Sequence, residues 1–208
     1  MPSSFILCYI TDRGGLPDGR LPLVLRQAID AGIDIIQIRE KDLATRPLMT
    51  LATAAVVQAR DAKTQIVIND RLDVALTSKA AGIHLGRQSM PARRVREIAP
   101  ENFLAGVSCH SLQEVRQAEM DGATYILLGP VFETPSKRSY GPPLSLRVLE
   151  QAASATAIPV YALGGITRER VLHCLNAGAR GIAGIRIFQD APSLRQRVRE
   201  IRGLLETG

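Results

Sequence analysis

The residues best suited to chemistry sit just after short apolar runs. Gln37, Arg39 and Lys41 follow one another at two-residue spacing, Asn69-Asp70-Arg71 closes a second run, and Ser108-Cys109-His110 closes a third. Side chains alternate in an extended segment, so Gln37, Arg39 and Lys41 are expected to project to one side. An amide and two cations there suit a polyphosphate, because the guanidinium offers a planar fork and the ammonium a point charge. The competing use of these cations is an ion-pair cluster with Glu40 and Asp42. Asp70 at a strand end is a candidate Mg2+ ligand, since that ion takes one or two carboxylates and fills its shell with substrate phosphates and water. Asp serves equally as a helix N-cap, and both uses stay open.

No convincing nucleophile accompanies these groups. Neighbouring strand residues point to opposite faces, so Cys109 and His110 make a poor nucleophile–base pair. His84 reads as a packed strand residue and His173 as a structural helix residue. The segment from Gly129 to Arg138 carries Thr134, Ser136 and Lys137 and exits at Gly141, long enough to fold over a ligand. Gly164-Gly165-Ile166 and Gly184-Ile185-Arg186 close two further runs, where backbone N–H groups could receive a phosphate.

The elements that must position these residues alternate regularly. Strands are expected at 5–10, 33–38, 65–68, 82–85, 104–107, 125–128, 159–162 and 181–185. Helices follow at 21–31, 46–61, 73–80, 92–99, 112–121, 144–155, 168–177 and 194–205. The strands are continuous apolar runs, as in a parallel sheet buried on both faces. Gly32, Gly82, Gly122 and Gly178 stand where a left-handed helix C-cap would fall. Eight such units in one chain, with no second domain, close most naturally into an α/β, single-domain TIM barrel spanning 1–208. In that fold the strand ends named above share one face, where chemistry resides. Together they offer two anion sites, one on strands two and three with the strand-six loop, the other on strands seven and eight. Two sites suggest a reaction joining a diphosphate to a monophosphate.

Composition narrows the partners. Of 208 residues 46% are hydrophobic and 22% charged, an ordinary globular mix that excludes disorder, collagen and coiled coil. Lys and Arg number 26 against 20 Asp and Glu, a formal charge of +6. The basic runs Arg93-Arg94-Arg96 and Arg195-Arg197-Arg199-Arg202 are interrupted by Glu97 and Glu200 and carry no interleaved aromatics. They read as solvated helix faces rather than a nucleic-acid surface. The apolar run Phe5–Ile10 is far short of the ~20 residues of a membrane span and lacks the flanks of a signal peptide. Three scattered cysteines suit neither a disulfide framework nor a zinc site, which points to a reducing cytoplasm. A homodimer is compatible with the sequence, which does not fix the oligomeric state.

Taken in order, the segments Leu7–Asp12, Gln37–Lys41, Ile68–Arg71, Gly82–Gly86, Gly106–His110, Gly129–Thr134 and Ala162–Ile166 resemble the thiamine phosphate synthase/TenI family. The resemblance spans nearly the whole chain and implies a TIM barrel. Synthase members join hydroxymethylpyrimidine diphosphate to thiazole phosphate with Mg2+, releasing pyrophosphate. By resemblance, Gln37, Arg39, Lys41 and Asn69 would hold the pyrimidine diphosphate and Asp70 would bind Mg2+. Ser108 would lie near the pyrimidine. Thr134, Ser136 and Lys137 would serve both substrates, while Gly165 and the turn at Ile185-Arg186 would receive the thiazole phosphate. Arg39, Lys41, Ser108 and Lys137 are the residues expected to act in the reaction. Three departures stand out: Ser89 where synthases place a second metal-binding Asp, Arg186 where the strand-eight turn usually carries Ser, and Val131-Phe132-Glu133 where a Pro more often precedes the Thr. The first and third lean towards the thiazole tautomerase branch, yet Pro130 occupies the position of that branch's His. The retained Gln-x-Arg-x-Lys and Asn-Asp-Arg sets favour the synthase, because diphosphate anchors serve no evident purpose in a tautomerase. A tautomerase, or a non-catalytic binder of thiazole or thiamine phosphate, remains the alternative.

Overall fold

Each apolar run forms one strand in the computed structural model, which describes residues 5–134 and 142–207. The strands are β1 (Ile6–Ile10), β2 (Ile35–Ile38), β3 (Gln65–Asn69), β4 (Gly82–Leu85), β5 (Leu104–Cys109), β6 (Tyr125–Leu128), β7 (Val160–Leu163) and β8 (Gly181–Gly184). All neighbouring pairs are parallel, and β8 returns to β1 in the register Ile6↔Gly181 to Tyr9↔Gly184, closing the barrel. The outer helices are α1 (Leu21–Asp30), α2 (Thr45–Gln58), α3 (Leu72–Thr77), α4 (Ala92–Ile98), α5 (Leu112–Met120), α6 (Ser145–Ser154), α7 (Val171–Asn176), α8 (Arg186–Gln189) and α9 (Leu194–Thr207). None among the described residues is long and apolar enough to cross a membrane.

Three features differ from the sequence expectation. The stretch 168–177 is not one helix: a 3-10 turn at Arg168–Arg170 precedes α7. Short helical turns at Arg13–Gly15 and α8 were not expected, because three or four residues carry no periodicity. Gly32, Gly122 and Gly178 do take the left-handed conformation. Gly82 does not; Lys79 adopts φ 59° instead, and Gly82 opens β4, where a side-chain carbon would lie 2.4 Å from Leu104 Cβ.

Alternation in the strands divides the core in two. One cluster lies between sheet and helices and includes Leu7, Ile36, Ile38, Ile68, Ile83, Leu85, Ile126 and Leu128. The other fills the barrel itself: Cys8, Ile10, Ile35, Val67, Leu127 and Ala183, with Tyr125 and Tyr161 stacked at 5.3 Å between ring centroids. A narrow cylinder accepts two such rings only where neighbours are small. A Cβ on Gly106 would sit 2.0 Å from Tyr125 Cζ, so glycine there lets the ring cross the strand.

The barrel floor is pinned by charge. Asp34 accepts from the Leu7 N–H at 2.6 Å and pairs with Arg202 at 2.5 Å, and Arg202 also donates to the Phe5 carbonyl. Arg202 is therefore not part of a solvated face with Arg195 and Arg199, which stay exposed. The other basic run is likewise engaged: Arg93 with Asp121, Arg94 with Glu97, and Arg96 with the Phe103 carbonyl.

Above the tyrosines, His84 is buried and bonds to Ser108 and Tyr125. Burial pushes its imidazole down to about 3, with Asp70 opposing and Arg39 reinforcing the shift more weakly. The unfolded chain takes up this proton near the ordinary 6.5, whereas the folded chain takes it up only near 3. Unfolding between those values therefore binds a proton, so His84 leaves stability intact above pH 6.5 and erodes it as pH falls. The expected slope approaches about 1.4 kcal/mol per pH unit from roughly one pH unit below the unfolded value. Urea unfolding of wild type and His84→Gln from pH 7.5 to 5 measures it; equal slopes for the two proteins would refute the assignment.

Candidate active site

The rim at the carboxyl ends of the strands is built around buried Glu40. Its carboxylate accepts from Thr11 Oγ1 at 2.5 Å and from the Arg13 N–H at 3.1 Å, while the Arg39 N–H donates to Thr11 Oγ1 at 3.0 Å. Burial raises the Glu40 carboxyl above its usual range, and the bonds from Thr11 and Arg13 oppose that. Asp42 pairs with Arg13. Both carboxylates that could have neutralised Arg39 and Lys41 are thus engaged with the strand-one loop. Neither Arg39 nor Lys41 makes an ion pair among the described residues. The ion-pair reading of these cations is not what the fold adopts.

The expectation that Gln37, Arg39 and Lys41 share one side holds only while the chain is a strand. β2 ends at Ile38, and Lys41 lies in a turn. Gln37 continues the inward face of Ile35 and is 1% exposed, and its Nε2 has no hydrogen-bond partner. Arg39 is half-buried and Lys41 exposed.

Lys41, Asn69, Asp70 and Arg71 line a single cleft of about 260 Å3 beside Glu40. Asp70 does not cap α3, whose N-cap residue is Arg71. It holds the left-handed conformation at φ 61°, and its N–H donates to the His84 carbonyl at 2.9 Å. Its carboxylate accepts from Asn69 Nδ2 at 3.0 Å and from the Ser89 hydroxyl. Ser89 also accepts from the Gly86 N–H at 2.6 Å, so strand four's loop presents Ser89 directly to Asp70. Arg71 is already committed: it pairs with Asp73 at 2.6 Å and donates to Thr45 Oγ1 at 3.0 Å. Its role is to tie the starts of α2 and α3, a use that the sequence reading missed.

Ser108 faces the mouth half-buried, with its Oγ 2.8 Å from His84 Nε2. Cys109 turns away and is buried, which pushes its thiol up to about 12. His110 is occupied by Glu114, whose carboxylate accepts from the His110 N–H at 2.6 Å. Cys109 and His110 do not meet as nucleophile and base.

On the opposite rim β7 and β8 are paired, which brings Gly165 and Ile185-Arg186 onto adjacent loops. Gly165 has φ 63° and packs so tightly that a Cβ would lie 2.6 Å from the Glu133 carbonyl oxygen. Arg170 donates to the Gly165 carbonyl at 2.7 Å, with its guanidinium 4.6 Å over the Phe132 ring. Gly164 and Gly165 thereby seat the strand-six loop, and Thr134 stands half-buried at its described end. Ile185 is the N-cap of α8, and Arg186 is exposed without an ion pair among the described residues. Ser136 and Lys137 lie outside the described residues. Gln189 of α8 braces the rim by accepting from Tyr9 OH at 2.7 Å and donating to the Asp12 carbonyl at 2.9 Å.

What the sequence did not reveal is mostly the support for these groups. The Thr11–Glu40 bond joins residues 29 apart, and the His84–Tyr125 contact joins residues 41 apart. A local signal existed for Gly106, a glycine inside a strand, which often marks close backbone or ring approach.

Comparison with known proteins agrees with this geometry. The family model of thiamine monophosphate synthase (TMP-TENI) matches residues 7–188. A thiamine-phosphate synthase of Roseiflexus castenholzii is 38% identical over 90% of this chain and 82% of its own length. That of Chlorobium luteolum is 37% identical over 99% of this chain and 95% of its own. Among solved structures, thiamine phosphate pyrophosphorylase from Pyrococcus furiosus superposes with a TM-score of 0.88 at 32% identity, covering 99% of this chain and 98% of that one. The family model over residues 7–188 and these full-length relatives show that the chain, a closed eight-stranded barrel, belongs to the thiamine monophosphate synthase family.

Proposed function

We propose that this barrel is a thiamine phosphate synthase in thiamine biosynthesis, coupling hydroxymethylpyrimidine diphosphate to thiazole phosphate with release of pyrophosphate. The observation that carries the reading is the β2–β3 cleft, where Asp70 shares one wall with Lys41 and Asn69, next to Arg39, which has no ion pair among the described residues. A tautomerase has no use for that combination, and Pro130 replaces its His.

The donor set fits Mg2+. Asp70 offers one exposed carboxylate, with the neutral oxygens of Ser89 and Asn69 beside it. No cluster of three His, Cys, Asp or Glu side chains occurs among the described residues, so substrate phosphates and water would supply most of the shell. When bound, the ion would neutralise charge on the departing diphosphate. Arg39 and Lys41 stabilise the same charge as it grows on the leaving oxygens, with Lys137 assigned there by the family resemblance. Gln37 and Ser108 hold the pyrimidine over the barrel mouth. The bond from its methylene carbon to the diphosphate oxygen breaks, and the ring delocalises the positive charge. The thiazole nitrogen, oriented by its phosphate at Gly165 and Ile185-Arg186, then forms the new carbon–nitrogen bond. No protein nucleophile is needed. Phosphorylated small molecules are the partners, and the three buried, unpaired thiols support a cytoplasmic location.

The direct test is incubation with both substrates and Mg2+ and oxidation of any thiamine phosphate to fluorescent thiochrome. Metal-dependent fluorescence is expected; its absence in the presence of measurable thiazole phosphate binding would overturn the synthase reading. Asp70→Asn should abolish coupling yet leave calorimetric binding of thiazole phosphate intact, and retained turnover would remove Asp70 as the metal ligand. Ser89→Asp restores a second carboxylate beside the first and should lower the Mg2+ concentration at half-maximal rate; an unchanged value would mean that residue 89 does not act on the ion. Arg39→Ala should raise the KM for the diphosphate substrate roughly 10- to 100-fold, the worth of one or two charge-assisted hydrogen bonds, with little change for the thiazole. Equal effects on both substrates would collapse the two-site division.

A further inference from the structure

The protons of the polar layer inside the barrel can be counted. Tyr125 OH lies 3.2 Å from His84 Nδ1, and His84 Nε2 lies 2.8 Å from Ser108 Oγ. Tyr125 and His84 are buried, whereas Ser108 opens partly to the mouth. The imidazole is buried and bonds no carboxylate among the described residues, so it is neutral and carries one N–H. The phenol and the serine each bring one further proton.

Two arrangements satisfy both contacts. In one, Ser108 donates to Nε2, the proton sits on Nδ1, and Nδ1 donates to Tyr125. The phenolic proton then has no acceptor, since Tyr125 OH makes no other hydrogen bond among the described residues. Tyr125 is 2% exposed, its ring lying across Gly106 and stacked on Tyr161, so the phenol is held away from bulk solvent. A buried donor without an acceptor is the expensive case. In the other arrangement Tyr125 donates to Nδ1, the proton sits on Nε2, and Nε2 donates to Ser108 Oγ. Every buried donor of these three side chains is then used. The one proton left over belongs to Ser108, at the mouth, where a ligand or water can accept it.

We propose that Tyr125, acting through the Nε2–H tautomer of His84, leaves the Ser108 hydroxyl proton free for the ligand, so that the site favours a ligand ring presenting a nitrogen lone pair over one presenting N–H. Tyr125 and His84 are positioning residues in this scheme, and Ser108 is the group that meets the ring. For a pyrimidine, a ring nitrogen facing Ser108 as an acceptor takes the serine proton; a pyrimidinone protonated at that nitrogen offers that proton no acceptor. The selectivity rests on the synthase reading, whereas the tautomer does not.

The chain has three histidines, His84, His110 and His173, so 15N-labelled protein gives three resolvable imidazoles, with His84 assigned by its loss in His84→Gln. The Nε2–H tautomer is expected for His84 in the wild-type protein; the Nδ1–H tautomer overturns the proposal without any variant having to fold. Calorimetry then compares hydroxymethylpyrimidine diphosphate with its pyrimidinone counterpart, which should bind roughly 10- to 100-fold more weakly. In Tyr125→Phe the imidazole is free to take either tautomer, and the ratio should fall towards one while thiazole phosphate binding is unchanged. Equal wild-type affinity for the two pyrimidines refutes the selectivity and leaves the synthase reading standing. Failure of both pyrimidines to bind, with thiazole phosphate still bound, refutes the synthase reading and the selectivity together.

Discussion

Closure of eight short strands into one cylinder is the constraint on which the rest of the molecule depends. Once β8 pairs with β1, no strand edge remains and every inward side chain must fit a common, narrow interior. Large rings enter only where a neighbour gives up its side chain, as Gly106 does under Tyr125. The lower interior is apolar, and the layer above it changes to Gln37, His84 and Ser108. Because strand ends converge there, polar groups far apart in sequence meet over one opening. The floor is held separately by Asp34 and Arg202, so the upper layer is free to serve a ligand rather than fold stability.

Charge at the rim is sorted by partner. Arg13, Arg71, Arg94 and Arg202 have carboxylates, and Arg96 has a carbonyl. The exposed pairs, those of Arg13, Arg71 and Arg94, are screened by solvent and serve mainly to fix loops. Arg39, Lys41 and Arg186 have no ion pair among the described residues and lie at strand ends or turns of the mouth. Buried Glu40 lies next to Arg39 and is withheld from it by Thr11 and the Arg13 backbone. An arrangement that takes the nearest anions away from its cations prepares them for a phosphate from outside.

Much of the fold was legible because parallel barrel strands are buried on both faces and stand out as apolar runs. β4 and β6 fall at the expected residues, and the other strands differ by no more than two residues at either end. The misses have local causes. β2 starts late because Asp34 is drawn into the floor, and the 168–177 segment tightens into a 3-10 turn before its helix. At the candidate site the residue types were legible and the contacts were not. Nothing local distinguishes Arg71, paired with Asp73, from Arg39, which is left open.

The sequence by itself determined the strand–helix alternation, the glycines at helix ends, the collection of cations and an aspartate at strand ends, and the absence of a plausible nucleophile. These follow from periodicity and residue chemistry, which act over a few positions. Only the tertiary structure decided that Ser89 would face Asp70, that Glu40 would turn to Thr11, and that Tyr125 would reach His84 across Gly106. The contacts between residues 19, 29 and 41 positions apart depend on strand order, tilt and register, which exist only when the barrel is closed.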